Sequence, residues 1–510
     1  MERSASTSFL KATVQVPAGA WGIDLMFSDS ASSGGFHDDN GGLDYHTPIE
    51  GSDACDAGLK VVHISCEMAP IAKHTVLEEG HRVEVMLPKY DCINYKEVGN
   101  LRQEPSFEFG GTSVRVWKGV VEELNTTFLE PENGMFWVGC IYGKSNDAQR
   151  FAFFCGAAQE YMRLSDARPD ILHCHDWQSA PVSWGDRGSA RAVFTIHNLS
   201  YGGDLIGRAM QSCDVATTVS QTYAREIAGN PAIAPNLSKL YGVRNGIDVD
   251  IWDPSSDVAL PVRYGVENVA EGKDAAKQLL RERLSLSELD VPIVGCVTRL
   301  VAQKGIHLIK HAAWRALERG GQFVLLGSAP DSRVQAEFNA LSESLSRQYP
   351  GRVSLVFTYD EPLSHLIYAG SDMFLVPSIF EPCGLTQMIA MRYGAVPVVR
   401  KTGGLVDTVF DVDHDEDRAE LAGMETNGFS FESTDVQGMD YALNRALSTW
   451  YSDKQAWDEL RQRGMQQDWS WSGPALDYVN LYYKAIKVRA RFGSGDTASD
   501  PMSQSAVGCM

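Results

Sequence analysis

From Lys60 onward, apolar runs of strand length alternate with stretches whose apolar residues recur at helical spacing. The runs are "KVVHISCEM", "HRVEVMLP", "FWVGCIYG", "DILHCHDW", "ARAVFTIHN" and "DVATTVS". Such alternation predicts a parallel sheet with helices packed on it, because parallel strands need a helical crossover between them. The pattern breaks at "RNGIDVDIWDPSSD" (residues 244–257), which is polar and contains a proline. It then resumes with "VPIVGCVTRL", "GQFVLLGSA", "VSLVFTYD", "DMFLVPS" and "AVPVVR". The fold class expected is α/β, with two Rossmann-like doubly wound domains in tandem. Residues 13–50 read differently, as short β pieces around a Gly/Asp-rich turn, too few for a complete β-sandwich. A Trp-rich stretch, "QQDWSWSGPALDYVNLYYKAIKVRARF", predicts a closing helix before a polar tail of disordered composition. The expected organisation is therefore a partial β region and linker over 1–56, a first domain over 57–253 and a second over 254–463. The closing helix takes 464–490 and the tail 491–510.

At 510 residues the chain exceeds what one core usually supports, which agrees with two domains. Its 44% hydrophobic and 22% charged residues are those of a globular protein. A net charge of -21 repels phosphate backbones and anionic lipid, so neither nucleic acid nor membrane is expected as the main partner. A neutral polymer remains compatible. The ten cysteines lack paired CxxC spacing, and Cys66, Cys174 and Cys296 sit inside apolar runs, so they read as reduced core residues. The N-terminus, "MERSASTSFLKATVQV", is Ser-rich but shows neither a secretory apolar region nor a complete transit peptide.

Ligands of open α/β sheets collect at the carboxyl ends of strands, so the strand-end residues carry the candidate chemistry. Arg299 and Lys304 in "VTRLVAQKG" place two cations beside one strand end, which suits a departing diphosphate; the lesser alternative, when the motif stands alone, is two solvated surface bases. In "VPSIFEPCGLTQMIAMRYG" Pro382 stops the strand, Gly384 permits close backbone approach, and helical periodicity begins at Leu385. Glu381 at that turn could meet a sugar hydroxyl or a developing positive charge, or simply complement the helix dipole. Gly403 and Gly404 of "KTGGL" could turn backbone amides toward an anion or hydroxyl. Three such junctions on consecutive strands point to one site. In the first domain Asp176 and Trp177 of "HCHDWQSAPV" could bind and stack on a sugar, and His197 closes another strand. His173 and His175 share a strand side and have the residue type of metal ligands. No carboxylate or thiolate at metal spacing completes a set, so no metal is expected and a packed strand histidine is the favoured reading.

The motifs "HISCEMAPIAK", "LPKYDC", "NDAQRFAFF", "DILHCHDWQSAPV", "FTIHNLSYG", "NPAIAPNLSKLYGVRNGID", "TRLVAQKG", "FEPCGLTQ" and "KTGGL", in this order, resemble plant and algal soluble starch synthases, most closely the class III kind. Bacterial glycogen synthases are more distant relatives. The resemblance spans residues 60–487, and the N-terminal β segment is similar to the end of a starch-binding region. It implies a GT-B glycosyltransferase architecture, two Rossmann-like domains facing a cleft. The implied reaction is retaining transfer of glucose from ADP-glucose to the non-reducing end of an α-1,4-glucan, without a cofactor, in a plastid. Association with other starch enzymes is implied as well.

Carried over by motif, Arg299 and Lys304 would hold the diphosphate, Glu381 would face the donor glucose, and His197 would support the oxocarbenium-like transition state. Cys383, Gly384, Leu385 and Thr386 would line the donor pocket and Tyr359 would lie near the adenine. Asp176, Trp177 and Asn245 would line the acceptor side or cleft.

The sequence departs from the family at two places. Lys73 of "APIAK" should open a loop of the form Lys-x-Gly-Gly-Leu-Gly-Asp and then a helix, but "HTVLEEGHRVEVMLP" follows directly. At "PVSWGDRGSARAVFTIHN" a longer helical connection is absent. The first loss removes backbone amides from the donor phosphate site, so impaired turnover and exposed apolar strand surface are expected. The rival reading is a non-catalytic glucan-binding relative of the same family.

Overall fold

The computed structural model describes residues 58–67 and 80–493, those after 487 as backbone, together with the backbone of four short strands nearer the N-terminus. Of these four, Gly22–Leu25 pairs antiparallel with Tyr45–Pro48, and Phe27–Ser28 with His37–Asp38. The tail beyond residue 493 lies outside the described residues.

The first sheet has nine strands. Across it run Leu240–Gly242, Val215–Thr218, Arg191–Ile196, Ile171–His175, Lys60–Ile64, Arg82–Pro88, Leu124–Pro131, Thr112–Val121 and Gly99–Phe109. Pairing is parallel as far as Leu124–Pro131 and antiparallel over the last two strands. Side chains alternate between faces with the period of two that a strand imposes. Val62, Ile64, Leu172, Ala192 and Phe194 enter one core with the Asp147–Leu164 helix. Val61, Val83, Val85, Ile171, Val193 and Val215 enter another. That second face is covered by the closing helix, Ser472–Gly493, through Ala475, Tyr478, Leu481, Tyr482 and Ala485. The chain thus returns from the second lobe to finish the first.

The second sheet is wholly parallel, ordered Val353–Val356, Gln322–Leu326, Ile293–Val297, Met373–Val376, Val396–Arg400 and Phe429–Phe431. Its helices follow the expected periodicity; in Ile306–Glu318 the buried residues are Leu308, Ile309, Ala312, Ala313, Ala316 and Leu317, one continuous stripe. Caps are supplied by acidic residues, as where Asp360 accepts from Leu363 N at 2.9 Å to start Glu361–Gly370.

Two expectations change. "FWVGCIYG" forms turns instead of a strand, because Gly139 and Gly143 take φ of 72° and 96°. The strand it was expected to supply is Leu124–Pro131, which pairs with Arg82–Pro88. The strands on either side of the short crossover pair in register, Lys60 to Ile64 lying parallel to Arg82 to Met86. The crossover residues 68–79, Lys73 among them, lie outside the described residues. Nor is the flanking strand surface exposed: Val61, Val62, Ile64, Val83, Val85 and Met86 are all at most 4% accessible. At the second departure the chain passes from the turn Ala180–Trp184 to strand Arg191–Ile196 through a short loop. No helix among the described residues is long and apolar enough to cross a membrane.

Candidate active site

In the second sheet Ile293–Val297 is the first strand, and successive strands are added on either side of it, so strand order reverses between it and Met373–Val376. This is the topological switch point, where a crevice opens beyond the carboxyl ends of adjacent strands. A cavity of about 210 Å³ lies there, lined among others by Thr298, Arg299, Lys304, Ser378, Glu381 and Thr386. Glu381 is 7% exposed, and its Oε2 accepts from both Lys304 Nζ and Ser378 Oγ, the latter at 2.8 Å. Arg299 is exposed and has no ion-pair partner among the described residues. One cation therefore holds a buried carboxylate while a second stays available for an anion. Ser378, which orients the carboxylate, went unnoticed in the sequence, although it stands three residues before Glu381. A larger cavity of about 360 Å³ lies between Arg163, Arg168 and Arg187, at the amino ends of the first sheet's strands, away from this chemistry.

The Glu381–Gly384 turn is clamped from both lobes. Gly403 has φ 46°, and a Cβ there would lie 2.0 Å from Glu381 O; one on Gly404 would lie 1.9 Å from Cys383 O. The paired glycines are thus required by close contact between two loops. Their amides are engaged as well: Gly403 N donates to Glu226 Oε1 at 2.8 Å, and Gly404 N to Glu381 O at 3.1 Å. This corrects the expectation that they face a ligand. Pro382 O accepts from Ser220 Oγ of the first lobe at 2.6 Å, and Asp407 accepts from Thr222 Oγ1 at 2.5 Å. Burial pushes the Cys383 thiol up to about 12, and the Asn245 backbone amide is bonded to it, which places Asn245 at the same turn. Gly384, at φ 72°, and Leu385 lead into a short helix, Thr386–Arg392.

The first sheet has its own switch point, between Lys60–Ile64 and Ile171–His175. Here the face under the closing helix turns polar. His63 Nδ1 is 2.9 Å from His175 Nε2, and His175 Nδ1 is 3.0 Å from His197 Nε2. His173 bonds Tyr482 OH at 2.9 Å and Thr195 Oγ1 at 2.6 Å, and Thr195 bonds Thr217 at 2.6 Å. Burial holds His63 down to about 3 and keeps His173 and His175 well below the ordinary imidazole range. His63 and Tyr482 were not anticipated. The available signal was polar residues at one phase of four strands: His63; His173 and His175; Thr195 and His197; Thr217.

Asp176 commits one of its two carboxylate oxygens to the backbone. Its Oδ1 accepts from the backbone N–H of His197 at 2.7 Å and of Asn198 at 3.3 Å, so it shapes the His197 loop, and burial raises its pKa. Trp177 packs edge-on against Phe151, ring centroids 5.6 Å apart. The His197 loop reaches the second lobe through Leu199 N, which donates to Tyr223 OH at 3.0 Å, and the Tyr223 ring, 5.3 Å from that of Phe380. The two switch points therefore face one cleft. Tyr359 lies apart from the cavity, 90% exposed beyond the edge strand, with its hydroxyl donating to Glu361 at 3.1 Å.

Comparison with known proteins agrees with this arrangement. The family described as the starch synthase catalytic domain matches residues 60–239, and glycosyl transferases group 1 matches residues 281–464. The chain is 54% identical to soluble starch synthase 3, chloroplastic/amyloplastic, of Solanum tuberosum, over 96% of this chain and 41% of that protein. It thus spans less than half the length of the plant relatives of this kind. With glycogen synthase of Protochlamydia amoebophila it shares 36% identity over 84% of this chain and the whole of that protein. The catalytic domain of starch synthase IV from Arabidopsis thaliana, bound to ADP and acarbose, superposes with a TM-score of 0.78 at 40% identity, covering 84% of this chain and 100% of that one. Two parallel-sheet lobes with paired switch points, matched along their length by these relatives, show that the chain belongs to the starch and glycogen synthase family of GT-B glycosyltransferases.

Proposed function

We propose that the chain is a starch synthase, transferring glucose from ADP-glucose to the non-reducing end of an α-1,4-glucan with retention, in a plastid. The observation that carries this reading is the convergence of Lys304, Arg299 and Glu381 in one cavity at the second switch point. Lys304 has three donor hydrogens, so it can keep its bond to Glu381 while another hydrogen meets a phosphate oxygen. Arg299 supplies the second charge, and together they neutralise the leaving ADP as its bond to the sugar breaks. Glu381, held by Lys304 and Ser378 through one oxygen, keeps the other for the donor glucose. His197 stands under the reacting sugar, and Asn245 and Cys383 border the pocket from the turn. Tyr359 approaches the adenine once the nucleotide is bound. The relative bound to ADP and acarbose supports an adenine nucleotide and a glucan-like acceptor, and the chloroplastic/amyloplastic names of the plant relatives support the compartment.

Incorporation of labelled glucose from ADP-glucose into amylopectin tests the reading, with UDP-glucose as competitor. Incorporation that UDP-glucose does not suppress is expected. Because the glycine loop after Lys73 is missing, turnover should be low, and inserting the Gly-Gly-Leu-Gly-Asp loop and its helix, with the second connection restored, should raise it. Glucan binding without incorporation by the repaired chain would favour the non-catalytic reading.

A further inference from the structure

His63, His173 and His175 place ring nitrogens within 4.8 Å of one another in a fully buried cluster, a composition that suits a metal ion. Their bonds assign them otherwise. Both nitrogens of His173 are engaged, by Tyr482 and Thr195, and both nitrogens of His175, by His63 and His197. An ion would have to displace these bonds one by one, whereas the network satisfies itself.

The consequence lies in how the protons are arranged. A neutral imidazole has one N–H and one lone pair. In the series His63–His175–His197 the bonds join Nδ1 to Nε2 each time, so the series must run in one sense throughout. Either every Nδ1 donates, and His197 offers an N–H at its own Nδ1, or every Nε2 donates, and His197 offers a lone pair there. A mixed arrangement would need His175 to carry two protons or none, and burial opposes the charge in either case. His63 is 2% exposed and His175 8%, so bulk water has little access to either. The rings meet edge to edge with centroids 5.3 Å apart in each pair, and their planes are within 19° and 29° of each other.

We propose that His175, backed by His63, is a positioning residue for His197: the series ties the proton on the His197 ring to the sense in which all three rings are bonded, so that ring meets a sugar hydroxyl in one role at a time, as donor or as acceptor. The inference rests on the reading that His197 lies at the reacting sugar. Its location supports it, since the series begins at the switch point and runs toward the cleft along one face of three strands.

The test uses the full chain with 15N-labelled histidine, reading ring tautomers by NMR, beside glucose incorporation from ADP-glucose. In the unmodified chain His63, His175 and His197 should share the same tautomer. His175→Phe should mix the tautomers and lower kcat about tenfold or more, while KM for ADP-glucose changes by less than about twofold. His63→Phe should act in the same direction but less, and it serves if His175→Phe does not fold. Unchanged His197 tautomers in whichever variant folds overturn the proposal, as does a loss of activity that follows the thermal midpoint alone. If the loop-restored chain incorporates no glucose, the catalytic reading fails, and the tautomer measurement still decides the relay.

Discussion

Lys304 and Glu381 are ion-paired where a leaving diphosphate is expected, so each substitution has a distinguishable outcome. Lys304→Ala removes the charge that meets the leaving group and leaves Glu381 with Ser378 alone. Turnover in the loop-restored chain should fall roughly a hundredfold or more, since such stabilisation is realised in the transition state; unchanged turnover would remove Lys304 from the mechanism. Glu381→Gln keeps shape and hydrogen bonding but not charge, and kcat should fall far more than KM for ADP-glucose rises. If KM alone moves, Glu381 is a binding group. These residues were legible in the sequence because each stands at a strand end beside a residue that breaks the strand. Ser378 was not, because a serine at a strand end has no chemistry of its own until the carboxylate it bonds is located. The loop-shaping part of Asp176 was not legible either, because its two partners are backbone N–H groups that no side-chain pattern announces.

At the scale of elements, most parallel strands of both sheets could be read because they are buried on both faces and appear as continuous apolar runs, whereas Leu124–Pro131, Leu240–Gly242 and Phe429–Phe431 were missed. Strands Gly99–Phe109 and Thr112–Val121 were missed; they are half exposed, mix polar with apolar residues, and lack the continuous signal. The polar stripe on the first sheet was hidden within apolar runs, one histidine or threonine at a time. It makes stability depend on pH in a defined sense. His63 binds a proton in the unfolded chain near 6.5 but only at about 3 when folded. The unfolded state therefore holds more protons between those values, so the stabilisation is complete above the unfolded value and is lost as pH falls through that window. His173 and His175 act in the same direction. Urea unfolding of the full chain should show lower stability at about pH 5.5 than at about pH 7.5, and His63→Leu should reduce that difference. An equal difference in both proteins would mean that the dependence arises elsewhere.

For the whole molecule, the decisive feature is that the chain's last helix belongs to its first sheet. The sequence showed a closing helix but not what it closes, because the residues that receive it lie hundreds of positions upstream. Along Ser472–Gly493, Ala475, Leu481 and Ala485 are fully buried, and Tyr478 and Tyr482 are nearly so, against Val61, Val83, Val85, Ile171, Val193 and Val215. Burying each large side chain is worth about 1.5–3 kcal/mol, and the exposed sheet face would lose a comparable amount, so the total rivals the roughly 5–15 kcal/mol by which a domain is stable. Tyr482 also bonds His173, so removing the helix would leave a buried imidazole nitrogen unpaired. The second sheet draws its cores from other residues, among them Phe323, Leu325, Met373 and Val398, and loses none of them. Truncation after Trp471 should therefore abolish slow amide exchange in strands Lys60–Ile64, Ile171–His175 and Arg191–Ile196 while strands Ile293–Val297 and Gln322–Leu326 stay protected. Equal protection of both sheets in the truncated chain would show that the helix merely lies on the first lobe. Loss of protection in both would show instead that contacts such as Thr222 with Asp407 and Glu226 with Gly403 couple the two lobes into one folding unit.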